Sequence, residues 1–387
     1  MRILHVSHES LPDWRIEKSA ITASNLGNDV FFAGKLSNDY SRKSFAKIYK
    51  INWNAKARLG LPYYSDSIKK QLDQVLKETK PDVIHAHNIF SAKMVSEFGI
   101  PFVYDDHEYW SRLSQLLREI ARAKDLHGES TRHKGYSKLM LTKATNIRRS
   151  LINSYAIKLW TKWEQEIVSS HPTITVSEQI ATDLRTNYKA KDVFVVPNFP
   201  MFSEVSGFEK PQYHDSLSSV YAGGDGNNID KYPNRDIDNL DTTFLQHGIG
   251  DLVVIGWNAK SPSIKVRYMG FLPRQEMYRE MFNHSIGLIP WKQHWSHAFV
   301  SPNKAYEYAH AGLAIVCTFS FAVIKEILKE HCITFEDYED MASKLKYFKE
   351  NLDELYKRRL RVFEFARENL IWEKNESSII EAYKKCT

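Results

Sequence analysis

The stretch SPNKAYEYAHAGLAIVCT (residues 301–318) predicts a helix followed directly by a strand, the repeating unit of parallel α/β proteins. Ser301 suits the N-cap of this helix, Pro302 suits its first position, and Gly312 suits its end. After the glycine, LAIVCT is a short apolar run of the kind that forms a buried strand. This order of elements places the stretch in an alternating α/β domain.

The same alternation extends on both sides of this stretch. Strand-like runs before residue 199 are RILHVS, DVFFAG, DVIHAH, PFVYDD, TITVS and VFVVPN, and those after it are SSVYAGG, DLVVIGW, VRYMGF, SIGLIPW, LAIVCT and CITFED. The joining stretch 197–215 is rich in proline and glycine and resembles a linker. We therefore predict an α/β protein with two doubly wound, Rossmann-like domains facing across a cleft, at 1–199 and 200–365, and a closing helix at 366–387.

Composition narrows the class of protein. With 43% hydrophobic and 26% charged residues the chain is expected to be globular and soluble. Its three cysteines are widely spaced and odd in number, which argues against a disulfide framework or clustered zinc site and favours a reducing compartment. No apolar run is long enough for a signal peptide or a membrane span. We expect a cytoplasmic protein, with peripheral contact at the inner face of the membrane at most.

An insertion at 111–170 interrupts the alternation with helix-like sequence. From Arg112 to Lys162 it holds 12 Lys or Arg against 3 Asp or Glu, and Trp160 and Trp163 follow near its end. It could be a helical pair with a solvated basic face, or a surface for anionic lipid or a phosphate-bearing acceptor. Because no nucleic-acid reader module accompanies it, we expect no nucleic-acid partner.

Lys304 is an unusual residue for the first turn of a helix. Unpaired N–H groups carry about half a positive charge there, so an acidic side chain is the usual choice. An anion such as phosphate would remove the repulsion. Glu307, about one turn further on, could accept hydrogen bonds from the two hydroxyls of a ribose, which suggests a nucleotide. Alternatively, Lys304 and Glu307 form an ordinary surface ion pair.

These residues also carry a family resemblance. SPNKAYEYAHAGLAIV resembles the nucleotide-sugar segment of GT-B glycosyltransferases, especially the retaining enzymes of family 4. Further similar pieces follow the family's order: DWRIEKSAITASNLGNDVFFAG, KPDVIHAHN, FVYDDHEYW, TVSEQIATDL, VFVVPNFP, YMGFLPRQEMYREMFNHSIGLIPW and NLIWEKNESSIIEAY. The resemblance implies transfer of a hexosyl group (EC 2.4) with retention, from a UDP- or GDP-linked sugar. The basic insertion suggests that the acceptor is a glycan or is lipid-linked.

The resemblance also implies site residues. The catalytic residues would be His107, Arg235 and Lys304, and the acceptor side would hold Asp13 and Arg15. The donor nucleotide would be bound by Gly223, Gly224, Arg235, Phe271, Leu272, Ser301, Pro302, Asn303, Lys304 and Glu307. Arg235 matches the family's diphosphate arginine better than Lys231 matches its lysine. No D-x-D segment stands at a strand end for a metal, so the cations and the helix N-terminus would stabilise the leaving diphosphate without one.

Several residues leave alternatives open. The family's first glutamate is replaced by Phe299; His294 and His297 could substitute for it, or could lie in a plain loop. His85 and His87 share one strand face and could be a metal pair, but without a third ligand we favour polar residues lining the cleft edge. Asp13 and Arg15 could instead form an ion pair that holds the first loop.

The sequence thus predicts a glycosyltransferase that needs no metal or other cofactor. Two alternatives share this architecture or part of its chemistry. One is a nucleotide-sugar epimerase, which would act without any acceptor. The other is a non-catalytic relative that binds the nucleotide sugar and has lost transfer together with the first glutamate.

Overall fold

The computed structural model describes residues 1–37, 40, 44–53, 66–127, 154–155, 157–223 and 233–386, with the backbone alone over 121–127. The chain divides into two compact units. Unit 1 comprises Met1–Pro197 together with Asn375–Thr387, and unit 2 comprises Asn198–Lys374.

Unit 1 is built on a seven-stranded parallel sheet in the order β3-β2-β1-β4-β5-β6-β7. Its strands are β1 (Arg2–Leu11), β2 (Asp29–Leu36), β3 (Lys47–Lys50), β4 (Val83–His87), β5 (Phe102–Asp106), β6 (Thr173–Thr175) and β7 (Val193–Val195). The sequence predicted all of these except β3. That strand is short, lies at the sheet edge and begins and ends with lysine, so it shows too little apolar pattern to be recognised.

The helices between these strands are α1 (Trp14–Asn25), α2 (Asp66–Thr79), α3 (Asn88–Val95), α4 (Trp110–His127), α5 (157–168) and α6 (Glu178–Tyr188). Asp13 caps α1, because its side chain accepts hydrogen bonds from the backbone N–H groups of Arg15 and Ile16. The predicted insertion at 111–170 contains most of α4 and all of α5. Its residues 128–153 and 156 lie outside the described part of the chain.

Unit 2 is built on a six-stranded parallel sheet in the order β10-β9-β8-β11-β12-β13. Its strands are β8 (Ser218–Ala222), β9 (Asp251–Ile255), β10 (Val266–Gly270), β11 (Ile286–Ile289), β12 (Ala314–Thr318) and β13 (Cys332–Phe335). Each of them falls within a run that the sequence predicts as a strand. Two doubly wound, Rossmann-like sheets therefore confirm the predicted fold class.

The helices of unit 2 are α7 (Phe202–Val205), α8 (Leu240–His247), α9 (Arg274–Met281), α10 (Asn303–His310), α11 (Ala322–Leu328), α12 (Tyr338–Glu350) and α13 (Leu352–Asn369). The last helix, α14 (Glu376–Lys384), belongs to unit 1. It packs on α1 and on strands β5, β6 and β7, with Ile379, Ala382 and Tyr383 buried. No described helix combines the length and the apolar character that crossing a membrane requires.

Both sheets have a point at which the strand order reverses. In unit 1 it lies between β1 and β4, and in unit 2 it lies between β8 and β11. The loops leaving such neighbouring strands run to opposite faces of the sheet, which opens a crevice at their carboxyl ends. Ligands of open α/β sheets bind in that crevice, so polar side chains there are the first candidates for a functional site.

Candidate functional site

In unit 2, Lys304 lies near the start of α10. Pro302 is the N-cap, so Lys304 is the second residue of the helix. The predicted N-cap role of Ser301 is wrong: its hydroxyl lies 2.6 Å from the hydroxyl of Tyr306 and caps no backbone N–H. The predicted helix end is correct, because Gly312 follows α10 with a φ of +67°.

Two aromatic rings hold Lys304 at the point where the strand order of unit 2 reverses. Its Nζ lies 4.1 Å from the ring centroid of Tyr221, in β8, and 5.1 Å from that of Trp291, just beyond β11. The indole N–H of Trp291 donates to the hydroxyl of Tyr221 over 2.9 Å, which fixes the two rings together. The guanidinium of Arg235 lies 5.4 Å from the ring of Trp291. We call Lys304, Arg235, Tyr221 and Trp291 the cation centre.

Lys304 is the desolvated cation of the cation centre. Burial, and secondarily the charge of Arg235, lower the pKa of Lys304 to about 7. Among the described residues no carboxylate or carbonyl oxygen forms an ion pair or hydrogen bond with its ammonium group. Cation–π contacts with rings compensate a desolvated charge only in part. A centre of this kind is suited to a bound anion.

The remaining predicted donor residues take varied positions. Glu307 is buried and pairs with Arg274 over 3.1 Å, and it also accepts from the hydroxyl of Tyr278 over 3.3 Å. A Cβ on Gly223 would overlap the ring of Tyr221, so only glycine fits beside this part of the cation centre. Phe271 is 83% exposed, whereas Leu272 is partly buried against the core. Asn303 is exposed at the first position of α10, and Gly224 and Lys231 lie outside the described residues.

His294 and His297, the two histidines considered in place of the missing glutamate, both make contacts within unit 2. His297 is buried, with one ring nitrogen 2.7 Å from the hydroxyl of Ser320 and the other 2.5 Å from the backbone oxygen of Asn234. Burial lowers its pKa to about 4, so the ring is neutral. His294 caps the short 3-10 helix Trp295–Phe299 by accepting from the N–H of Ser296. Both histidines therefore stabilise the segment before α10.

In unit 1, strand register brings histidines together where the strand order reverses. His5 of β1 lies opposite His85 of β4, and His87 of β4 lies opposite Asp105 of β5. The rings of His85 and His87 stack with centroids 4.4 Å apart. His107 follows β5, and its Nε2 lies 3.1 Å from Nδ1 of His87. We call these five residues the histidine–aspartate cluster.

Asp105 is the anionic member of the cluster. Its carboxylate accepts from Arg15, with Nη2 2.7 Å and Nε 3.0 Å from Oδ1. The other oxygen, Oδ2, lies 3.2 Å from Nε2 of His85 and 3.3 Å from Nε2 of His107. Tyr383 of α14 completes the set, because its hydroxyl lies 2.7 Å from Nδ1 of His85.

These contacts set the charges in the cluster. Burial acts to raise the pKa of Asp105, but Arg15 and then His107 hold it well below its usual range. Burial lowers the pKa values of His5, His85 and His87, which are therefore neutral. For His107, the nearby Asp105 carboxylate outweighs burial and raises the pKa above its ordinary value. The positive charge of the histidines is thus concentrated on His107.

The cluster differs from its sequence-based interpretation in two respects. His85 and His87 share a face as predicted, but they are fully buried and do not line an open edge. Arg15 is also buried and its guanidinium pairs with Asp105, while its backbone N–H donates to the side chain of Asp13. The sequence predicted no site role for Asp105, Tyr383, Tyr221 or Trp291. Polar or aromatic residues at neighbouring strand ends were the signal that could have indicated them.

Hydrogen bonds account for the close contacts in the cluster. By distance alone, His5, His85 and His87, or His87, Asp105 and His107, could surround a metal ion. However, Arg15 places a permanent positive charge against both oxygens of the only carboxylate in these sets. We therefore describe the cluster as a hydrogen-bonded network.

Comparison with known proteins agrees with this architecture. A family model described as Glycosyltransferase Family 4 matches residues 27–199. No curated protein sequence matches the chain. Among solved structures, sucrose-phosphate synthase from Thermosynechococcus elongatus has a TM-score of 0.70 at 11% identity, over 99% of this chain and 98% of that one.

Two further solved structures show the same fold. HepE from Anabaena, in complex with UDP-glucose, has a TM-score of 0.62 at 11% identity, over 99% of both chains. WaaG, a glycosyltransferase involved in lipopolysaccharide biosynthesis, has a TM-score of 0.58 at 12% identity, over 100% of this chain and 99% of that one. The family match over residues 27–199 and the shared fold over the chain confirm the resemblance to GT-B glycosyltransferases of family 4.

Proposed function

We propose that this protein is a glycosyltransferase that moves a hexosyl group from a UDP- or GDP-linked donor to a glycan or lipid-linked acceptor, with retention. The observation that carries the proposal is the cation centre. Lys304 is desolvated on two aromatic rings, next to a second cation, and no described acid pairs with it. A diphosphate supplies the missing negative charge.

The chemistry of transfer fits this charge. As the bond from the anomeric carbon to the diphosphate breaks, negative charge accumulates on the leaving phosphate oxygens. Lys304, Arg235 and the N–H groups at the start of α10 are donors already in place, so little reorganisation is needed when that charge develops. We therefore propose that Lys304 and Arg235 stabilise the leaving group and that no metal ion is required.

We assign the other donor contacts around these cations. Ser301, Pro302 and Asn303 form the entry to α10 and would lie beside the phosphates. Glu307 would accept from the ribose hydroxyls with its carboxylate, which Arg274 already orients. The remaining proposed donor contacts are with Gly223, Gly224, Phe271 and Leu272.

The assignments in unit 1 rest on the family resemblance and on the cluster. His107 is our candidate for contact with the transferred sugar or with the acceptor. Asp13 is a candidate for the acceptor side, whereas the buried guanidinium of Arg15 would act there only by holding Asp105. Peripheral contact with an anionic membrane stays a prediction from the basic stretch of the insertion, much of which lies outside the described residues.

The test is incubation of the purified protein with radiolabelled UDP- and GDP-sugars, with and without a lipid and glycan extract. We expect a labelled glycan or lipid product that depends on the extract and persists in EDTA. Change of the sugar nucleotide without extract would indicate an epimerase instead. A thermal shift with UDP or GDP but no turnover would indicate a non-catalytic binder. Product that vanishes in EDTA and returns with Mg²⁺ would contradict the metal-free mechanism.

A further inference from the structure

The histidine–aspartate cluster contains more buried polar groups than the proposed transfer uses. Only His107 has been assigned a contact with substrate. Asp105 is nevertheless fully buried in the centre of the sheet, where a charged side chain is costly unless several groups compensate it. The arrangement of its partners indicates what the charge is for.

Arg15 fixes the orientation of the carboxylate. It approaches Oδ1 with two nitrogens and also donates from Nη1 to the backbone oxygen of Val196 over 2.8 Å. A guanidinium held at both ends leaves the carboxylate little freedom to rotate. Oδ2 is thereby directed at the imidazoles of His85 and His107.

The protons of the neighbouring rings follow from the ionised carboxylate, which can only accept hydrogen bonds. Nε2 of His85 therefore donates to Asp105, and its Nδ1 accepts from the hydroxyl of Tyr383. Nε2 of His107 likewise carries a proton, which lies between Oδ2 of Asp105 at 3.3 Å and Nδ1 of His87 at 3.1 Å. No described residue forms a hydrogen bond with Nδ1 of His107, so this nitrogen remains for an external partner.

We propose that Asp105 is a positioning residue, which orients the ring of His107 through Nε2 and keeps it protonated, so that Nδ1 presents an N–H to a substrate oxygen. The identity of that substrate rests on the proposed function. The protonation state of the His107 ring does not depend on the proposed function. Arg15 and His85 serve the same end by holding Asp105.

The other charged groups near His107 have smaller effects. The carboxylates of Asp13 and Glu9 favour the imidazolium form, whereas Arg15 and the nearby rings of His8, His85 and His87 disfavour it. Asp105 contributes the largest interaction that raises the pKa of His107. Removing its charge should therefore lower that pKa, by about 1 to 3 units for a charge at this distance.

The experiment is NMR titration of the full chain labelled at histidine Cε1, with the resonance of His107 assigned from the spectrum of His107→Gln. In the wild type we expect a midpoint above 6.5. In Asp105→Asn we expect it to fall by at least about one pH unit. A wild-type midpoint at or below 6.5, or an unchanged midpoint in Asp105→Asn, would overturn the inference.

Asp106→Asn is the matched control. Burial, and then Glu164, raises the pKa of Asp106 well above its ordinary value, which favours the neutral carboxyl, so its replacement should change the charge less than Asp105→Asn does. The midpoint of His107 should stay where it is. If Asp105→Asn does not fold because Arg15 is left unpaired, the double variant with Arg15→Met provides the comparison, and the wild-type midpoint remains decisive.

A second readout connects the ring to turnover. The N–H at Nδ1 is lost when His107 deprotonates, so the rate falls on the alkaline side. That limb of the kcat/KM profile should move to lower pH in Asp105→Asn, which a purely structural role would not cause.

Stoichiometric zinc in the purified protein would overturn the inference, because the nitrogens would then be ligands. Absence of any transfer would contradict the proposed function alone, since the titration needs no substrate.

Discussion

The two polar centres of this molecule handle buried charge in opposite ways. In unit 1, the carboxylate of Asp105 is paired with Arg15 and with imidazole N–H groups, so the charges compensate one another within the fold. In unit 2, Lys304 rests on Tyr221 and Trp291, and its pKa is lowered by the charge of Arg235 more than it is raised by that of Glu307. The buried carboxylate of the first centre is thus paired within the fold, whereas Lys304 of the second forms no ion pair with a described acid, and we propose that a bound diphosphate supplies one.

Because of this difference, substitutions in the first centre should mainly affect fold stability, and substitutions in the second should mainly affect ligand binding. Removing one partner of a compensated pair leaves the other charge buried and unpaired, which destabilises the fold. Removing Lys304, which forms no ion pair with a described acid, leaves no buried opposite charge unpaired. The fold should therefore tolerate this change, whereas ligand binding should not. The variants below test whether the two centres divide in this way.

The largest effect is expected from Arg15→Met. The guanidinium is 6% exposed and Asp105 is 1% exposed, so the carboxylate would lose its charged partner in the interior. We expect the free energy of unfolding to fall by about 3–5 kcal/mol, measured by urea denaturation. The double variant with Asp105→Asn should recover much of the loss. Equal losses from Arg15→Met and Lys304→Met would remove the distinction between the centres.

Lys304→Ala should show the converse behaviour. We expect turnover to fall at least about a hundredfold, equivalent to about 2.7 kcal/mol of transition-state stabilisation, with less than about 1 kcal/mol of change in unfolding free energy. The matched control is Lys325→Ala, since Lys325 also lies over an aromatic ring, that of Phe319 at 3.6 Å, outside the cation centre. Near-normal turnover of Lys304→Ala would contradict the diphosphate assignment.

The sequence was sufficient for the parts of the molecule that depend on local pattern. Alternation of apolar runs and amphipathic segments predicted both sheets, because strands covered on both faces must be apolar along their length. Edge strand β3 was missed because one exposed side removes that requirement. Ser301 was misplaced as a cap because Pro302 itself ends the extended segment and the serine hydroxyl bonds to Tyr306.

The candidate centres were only half predictable, for a different reason. Period-two alternation correctly placed His85 and His87 on one face of β4. It could not show that Tyr383, 298 residues after His85, reaches the ring of His85. Similarly, Lys304 was chosen from its place in the helix and Arg235 from the family resemblance, but their contacts with Tyr221 and Trp291 depend on the neighbouring positions of β8 and β11. Such contacts are decided by tertiary packing, which no local pattern encodes.

The state of Lys304 gives ligand binding at the cation centre a pH dependence of its own. With a pKa near 7, Lys304 is cationic below pH 7 and loses its charge above it, and a bound diphosphate favours the charged form. The affinity for UDP-glucose or GDP-mannose, whichever binds, should therefore weaken by about tenfold between pH 7 and pH 8.5. Isothermal titration calorimetry at a series of pH values would measure this affinity. Lys304→Ala should bind weakly with no such slope, and a flat wild-type profile would contradict the assignment.

The smallest effect tests whether the cation centre needs a guanidinium or only a charge. Arg235 is exposed, and the cation–π contact of its planar group with Trp291 is worth about 0.5–1 kcal/mol at such a site. Arg235→Lys keeps the charge but loses the flat stacking surface, so we expect the Kd for the nucleotide sugar to rise about threefold. Arg358→Lys is the control, because Arg358 lies 5.7 Å from the ring of Phe348 and outside the cation centre. An equal change in both variants would show that surface stacking alone is responsible. No change in Arg235→Lys, with a clear loss in Arg235→Ala, would show that charge is what the anion requires at this position.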